Sequence, residues 1–170
     1  KFSSTIATST PATAEIASAT ACAKRGFYNA GQVCISVQRI LVQKDVLPRF
    51  LSAAKATAES LVLGNPLDEK TTLGPMISEE DVKRVDTWVK EAVNGGATIE
   101  TGGKPEGDRF YLPTILTNVK REMKVWSQEV FGPLLAVDTY ENFDEAIRKT
   151  NDSVYGLQAG VFTSNLALAM

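Results

Sequence analysis

The 170-residue chain contains no histidine. That absence excludes a Ser–His or Cys–His nucleophile pair built from this chain. It also excludes His-rich zinc or iron sites, and the two cysteines, Cys22 and Cys34, cannot assemble a thiolate metal site. They are too few for a disulfide scaffold as well, so a reducing, cytoplasmic setting is the default expectation. No apolar run approaches the roughly 20 residues of a membrane span. After Lys1 and Phe2 the chain turns to Ser and Thr rather than to an apolar signal segment. Basic residues are not in surplus: 18 Lys and Arg against 20 Asp and Glu leave a net charge of −2. Nothing therefore argues for nucleic acid or an anionic membrane surface as a partner. Nor is there a Gly-x-Gly-x-x-Gly or other phosphate cradle.

What is present is ordinary for a soluble globular protein. Apolar residues make up 44% and charged residues 22%. The length suffices for a single domain with a real core. Fourteen of the first twenty residues are Ser, Thr or Ala, and Pro11 interrupts any helix there, which reads as a mobile end or a short strand plus loop. A helix follows from about Thr13, its N-cap, to Tyr28, with Glu15 in the first turn and Cys22 as small core packing. Val37–Gln43 reads as a strand. Asp45 caps a helix to about Val62 with an apolar face of Val46, Leu47, Phe50, Leu51, Ala54, Ala58 and Leu61. Ser78 to Asp81 resembles a capping box, and the helix behind it carries Val82, Val85, Val89, Ala92 and Val93 on one face before Asn94-Gly95-Gly96 stops it.

Beyond it lie a short strand at Thr98–Glu100, an exposed loop at Lys104–Arg109 and a weaker strand at Leu112–Leu116. Lys120–Lys124 reads as a turn or short helix. Leu134–Tyr140 is a strand. Asn142 caps a helix from Phe143 to about Thr150, with Phe143, Ala146 and Ile147 inward, and Gln158–Thr163 is the next strand. Strand, helix, strand implies a parallel crossover. Asn165 caps a last helix. The fold class is α/β, a mostly parallel open sheet with helices on both faces.

The chemistry points to Asn29–Arg39. Gly31 permits a backbone bend that a Cβ would forbid, and Cys34 follows it just before the apolar run Ile40-Leu41-Val42. A thiol at a bend beside a rigid strand suits a nucleophile, while an inert buried cysteine is the plainer alternative. Without histidine, its activation must come from backbone dipoles, a carboxylate or a bound cofactor.

Gly31-Gln32-Val33-Cys34, with Arg39 five residues on, resembles the active-site thiol signature of the aldehyde dehydrogenase family. Glu129-Val130-Phe131-Gly132-Pro133 is similar to that family's Glu-x-Phe-Gly-Pro segment. The likeness runs from about Gly26 to Thr163. It implies oxidation of an aldehyde to a carboxylic acid with NAD or NADP, with Cys34 forming a thiohemiacetal and then a thioester. The Cys34 backbone N–H would supply half of the oxyanion hole. Glu129 matches the carboxylate that accepts from the nicotinamide ribose hydroxyls, and Phe131 the residue packed against that ribose and ring. Arg39 is expected in a structural ion pair, and Asn29 in a structural role. The family's general-base Glu would fall just before Lys1, and its oxyanion Asn and dinucleotide-binding domain have no match here. The chain thus resembles a truncated catalytic domain of a homo-oligomeric enzyme, inactive alone. A non-catalytic fragment or binding module that keeps the fold remains an alternative. A CoA-acylating relative is another, and Glu129 argues against it.

Overall fold

The computed structural model describes residues 3–7 and 12–169, with side chains described from residue 16 to residue 167. Its strands are β1 (Ser3–Ala7), β2 (Val37–Gln43), β3 (Thr98–Thr101), β4 (Pro105–Glu106), β5 (Phe110–Tyr111), β6 (Thr114–Thr117), β7 (Leu134–Tyr140) and β8 (Gln158–Phe162). The α-helices among the described residues are α1 (Ala12–Phe27), α2 (Leu47–Glu59), α3 (Glu79–Asn94), α4 (Lys124–Ser127), α5 (Phe143–Asn151) and α6 (Leu166–Ala169). Six strands form one sheet in the order β3-β6-β7-β2-β1-β8, and β4 pairs only with β5. All pairings in the main sheet are parallel except β3 with β6.

The sheet is buried where its sequence is continuously apolar. Val37 to Val42 are all buried, as a central parallel strand covered on both faces requires. Side chains alternate along β7, so Leu135 and Asp138 point to opposite faces. A Cβ on Gly26 at the end of α1 would lie 2.3 Å from Leu135 Cδ2, which puts α1 on one face. Lys149 of α5 reaches Asp138 Oδ2 at 2.9 Å from the other. The α/β sheet with helices on both faces is therefore as expected.

The details differ in instructive ways. The biased amino-terminal stretch contains β1, an interior strand between β2 and β8. Pro11 and the side chains of Thr13 and Glu15 lie outside the described residues, and α1 already begins at Ala12. Cys22 is buried in the core. Asp45 does not cap α2: Lys44–Val46 form a 3-10 turn, Val46 is the N-cap residue, and the helix ends at Glu59 rather than near Val62. Its apolar face is correct, with Val46, Phe50, Ala54 and Ala58 buried. Val93 and Ile147, expected inward, are 38% and 39% exposed because each sits at the margin of its helix's apolar stripe. The sixth strand starts at Thr114, just past Pro113, which has no N–H for the ladder. The crossover through α5 joins parallel strands, but β2 and β1 lie between β7 and β8, so the two do not pair. Asn142 caps α5, its Oδ1 accepting from Glu145 N at 3.0 Å. Asn165 Oδ1 accepts from Ala167 N at 3.0 Å at the start of α6. Among the described residues, no helix is long and apolar enough to cross a membrane.

The capping box before α3 forms with a variation. Ser78 Oγ accepts from Asp81 N at 3.1 Å, and the Ser78 hydroxyl donates to Asp81 Oδ2 at 2.8 Å. Asp81 also receives Arg84 at 2.9 Å. Hydrogen bonds from Arg84 and then Ser78 hold the Asp81 carboxyl below its ordinary value of 3.8. A carboxyl depressed on folding stabilises above its unfolded pKa, and that stability is lost as pH falls through the folded value. We therefore expect Asp81→Asn to melt below the wild type at neutral pH, with the gap closing as pH drops below 3.8. Thermal melts across that range measure it.

Candidate active site

The backbone before Cys34 is strained. Asn29, Ala30 and Gly31 have φ of 51°, 54° and 69°, three consecutive left-handed residues. Each non-glycine there costs roughly 1–2 kcal/mol. The surroundings hold them in place. Ala30 is buried. The Asn29 side chain donates to Gln32 O at 3.4 Å, the structural role expected of it. A Cβ on Gly31 would sit 2.0 Å from Gly132 O, so the two segments meet backbone to backbone.

The chain then closes a β-turn, with Ser36 N donating to Val33 O at 2.9 Å. Cys34 occupies the first corner of that turn and is exposed, whereas Cys22 is buried. Among the described residues, no protein acceptor meets the Cys34 N–H. The turn leads directly into β2, so the thiol is anchored to a buried strand.

Glu129-Val130-Phe131-Gly132 runs beside this turn and enters β7. Glu129 is half-buried, and Phe131 is 41% exposed with a left-handed φ of 49°. Gly31, Val33, Ser36, Gln38, Glu129, Phe131 and Gly132 share one narrow notch. The two sequence segments that carried the resemblance thus flank a common notch, which Val33 and Ser36 of the Cys34 turn line from one side. Both precede the amino ends of parallel strands, whereas ligands on open α/β sheets usually sit at the carboxyl ends.

Three residues that hold the site, Arg84, Gln38 and Arg109, were missed from the sequence, and Gln32 was named only as part of the thiol signature. Gln32 receives Ile77 N on its Oε1 at 2.8 Å and donates to Pro75 O at 3.4 Å, tying the loop before α3 to the thiol turn. Arg84 of α3 donates to Val130 O at 2.7 Å. Gln38, buried in β2, bonds Val125 O, Gln128 O and Val130 N. Its sequence signal was a polar residue inside an apolar strand, which announces a buried partner without naming it. Arg109, at the end of the stretch read as an exposed loop, donates to Met76 O and Ile77 O and fixes the same loop. Arg39 is structural: it donates to Thr150 O at 2.9 Å and stacks 5.3 Å from the Trp126 ring. Burial pushes its guanidinium down to about 10, with the Asp152 carboxylate opposing the shift.

The sequence profile of the Aldehyde dehydrogenase family matches residues 11–170. The chain belongs to the aldehyde dehydrogenase family. It is 57% identical over 147 residues to a 3-sulfolactaldehyde dehydrogenase of Priestia aryabhattai, an alignment covering 86% of this chain and 31% of that relative. The lactaldehyde dehydrogenase of Escherichia coli has the same fold, with a TM-score of 0.92 at 32% identity over 99% of this chain and 35% of the other. An NAD-dependent aldehyde dehydrogenase from Sinorhizobium meliloti gives 0.92 at 32% identity, over 98% and 33%. The chain spans about a third of the length of these aldehyde dehydrogenases.

Two measurements check the geometry. Iodoacetamide should label Cys34 well before Cys22, read by peptide mapping of partially alkylated chain, and equal labelling contradicts the exposure seen here. Gly31→Ala should lower stability by about 2–4 kcal/mol, through a left-handed backbone and a clash with Gly132. Gly156→Ala, with nothing within 4 Å of the added Cβ, should leave urea unfolding nearly unchanged.

Proposed function

We propose that this chain carries the nucleophile of an enzyme that oxidises an aldehyde to a carboxylic acid with NAD or NADP. The observation behind the proposal is an exposed thiol at the corner of a turn whose Val33 and Ser36 line the same notch as a half-buried carboxylate and an exposed aromatic ring. The Cys34 thiolate adds to the carbonyl carbon, a C–S bond forms, and the carbonyl π pair moves to oxygen. The Cys34 N–H, which has no protein acceptor among the described residues, is available to that oxyanion. NAD or NADP, when bound, supplies the hydride acceptor. As the C=O re-forms and the hydride leaves, a thioester remains on Cys34. Water attack on the acyl carbon then breaks the C–S bond and frees the carboxylic acid and the thiol.

The residues at the cleft fit the nicotinamide half of such a cofactor. Two oxygens of Glu129 can accept two adjacent ribose hydroxyls. The exposed face of Phe131 offers an apolar wall beside them. Neither a glycine-rich phosphate cradle nor a match for the general base occurs within these 170 residues. The 170-residue chain alone should therefore show little or no turnover, and robust aldehyde oxidation by it with added NAD or NADP overturns that part of the proposal. The 57% identical relative names 3-sulfolactaldehyde as the first aldehyde to try.

In the full-length enzyme, Cys34→Ala should remove essentially all turnover while cofactor still binds. Losing the attacking atom forfeits covalent catalysis, so a fall of at least about a thousandfold in kcat is expected. Activity retained within tenfold contradicts the assignment. Glu129→Ala should instead weaken NAD or NADP binding, measured by calorimetric titration.

A further inference from the structure

Glu129 stands in irregular backbone outside any helix or strand, between the exposed Gln128 and the buried Val130. Something must fix where its carboxylate points. One side chain holds both peptide groups that flank it. Gln38 Nε2 donates to Gln128 O at 2.7 Å, and Gln38 Oε1 accepts from Val130 N at 2.9 Å. The first oxygen belongs to the peptide before the Glu129 Cα, and the N–H belongs to the peptide after it. Orienting those two planes sets both φ and ψ of Glu129, and hence the direction of its Cα–Cβ bond. The second Nε2 hydrogen goes to Val125 O at 3.1 Å, so both amide donors are used. The opposite amide orientation would face an oxygen towards two carbonyls, so the network itself settles the assignment.

The pairing of β1 with β2 shifts register beside Gln38. Ser3 pairs with Val37 and Ser4 with Arg39, leaving Gln38 as the extra residue. A bulge re-aims a side chain out of the strand's regular alternation. Gln38 is only 4% exposed, in strand β2, whose next three residues, Arg39 to Leu41, are also buried.

We propose that Gln38 is a positioning residue for Glu129, and that cofactor affinity in the full-length enzyme depends on its carboxamide. The inference rests on the reading of Glu129 given under Proposed function. Gln38→Glu keeps an acceptor for Val130 N–H but sets an oxygen against two carbonyls. Gln38→Met fills the space and leaves all three backbone groups unpaired.

The test is a double-mutant cycle in the full-length enzyme, with NAD and NADP as probes. Dissociation constants come from calorimetry, aldehyde KM from assays at saturating cofactor, and the Cys34 alkylation rate from iodoacetamide without cofactor. Gln38→Met should raise the cofactor Kd about tenfold, as unpairing buried backbone groups implies. Alkylation of Cys34 and the aldehyde KM should stay within about twofold, since the thiol turn keeps its own bonds. In a Glu129→Ala background, Gln38→Met should add less than about twofold, because its effect passes through that carboxylate. An equal rise in both backgrounds overturns the proposal, as does an unchanged Kd in Gln38→Met where Glu129→Ala raises it. If Glu129→Ala itself leaves Kd unchanged, the cofactor reading of Glu129 fails and takes this inference with it. Should Gln38→Met not fold, Gln38→Glu carries the same comparison.

Discussion

The site depends on two backbones touching. Gly31 and Gly132 come so close that a Cβ on the first would meet the carbonyl oxygen of the second at 2.0 Å. Gly132 is pinned in turn, since a Cβ there would lie 2.8 Å from Val85 Cγ2 of α3. This contact is what makes a single cleft out of segments a hundred residues apart in sequence. It also explains the strain before Cys34. Three left-handed residues are needed to bring the chain off the end of α1, against Gly132, and back into β2. Such a conformation persists only when the surroundings over-determine it.

Around that contact the chain places a second tier of hydrogen bonds, most of them from side chains to main chain. Gln32 and Arg109 hold the 75–77 loop, Arg84 holds Val130 O, and Gln38 holds the peptides on either side of Glu129. Gln38 and Arg84 act from β2 and α3, Gln32 from the thiol turn, and Arg109 from the turn between β4 and β5. The result is a rim built at the amino ends of β2 and β7, with the proposed nucleophile and the proposed ribose-binding carboxylate on separate strands' entries. Functional groups mounted on rigid supports hold their geometry better than groups on free loops.

The elements with strong local signals were legible in the sequence. Val37–Gln43 and Leu134–Tyr140 have the bounds their apolar runs implied, and Ser78 and Asn142 cap the helices their chemistry suggested. The amino-terminal strand was not, because Ser, Thr and Ala runs carry no period, and β1 gets its place from neighbours on both sides. The order of strands was hidden for the same reason: α5 connects β7 to a strand three positions away. In the site, Cys34, Glu129 and Phe131 could be named from two short motifs, and Glu129 and Phe131 line a notch that Val33 and Ser36 of the Cys34 turn also line. Gln38, Arg84 and Arg109 could not be found, since a polar residue in a strand or loop does not reveal which distant carbonyl it meets.

The central claim is that the sulfur at the turn corner carries the acyl group during turnover. Rapid quenching of the full-length enzyme with aldehyde and NAD or NADP, followed by intact-mass analysis and peptide mapping at acid pH, tests it directly. A mass increase equal to the acyl group, confined to the peptide containing Cys34, is the predicted result. Turnover without any such adduct under single-turnover conditions, or an adduct on another residue, would contradict it.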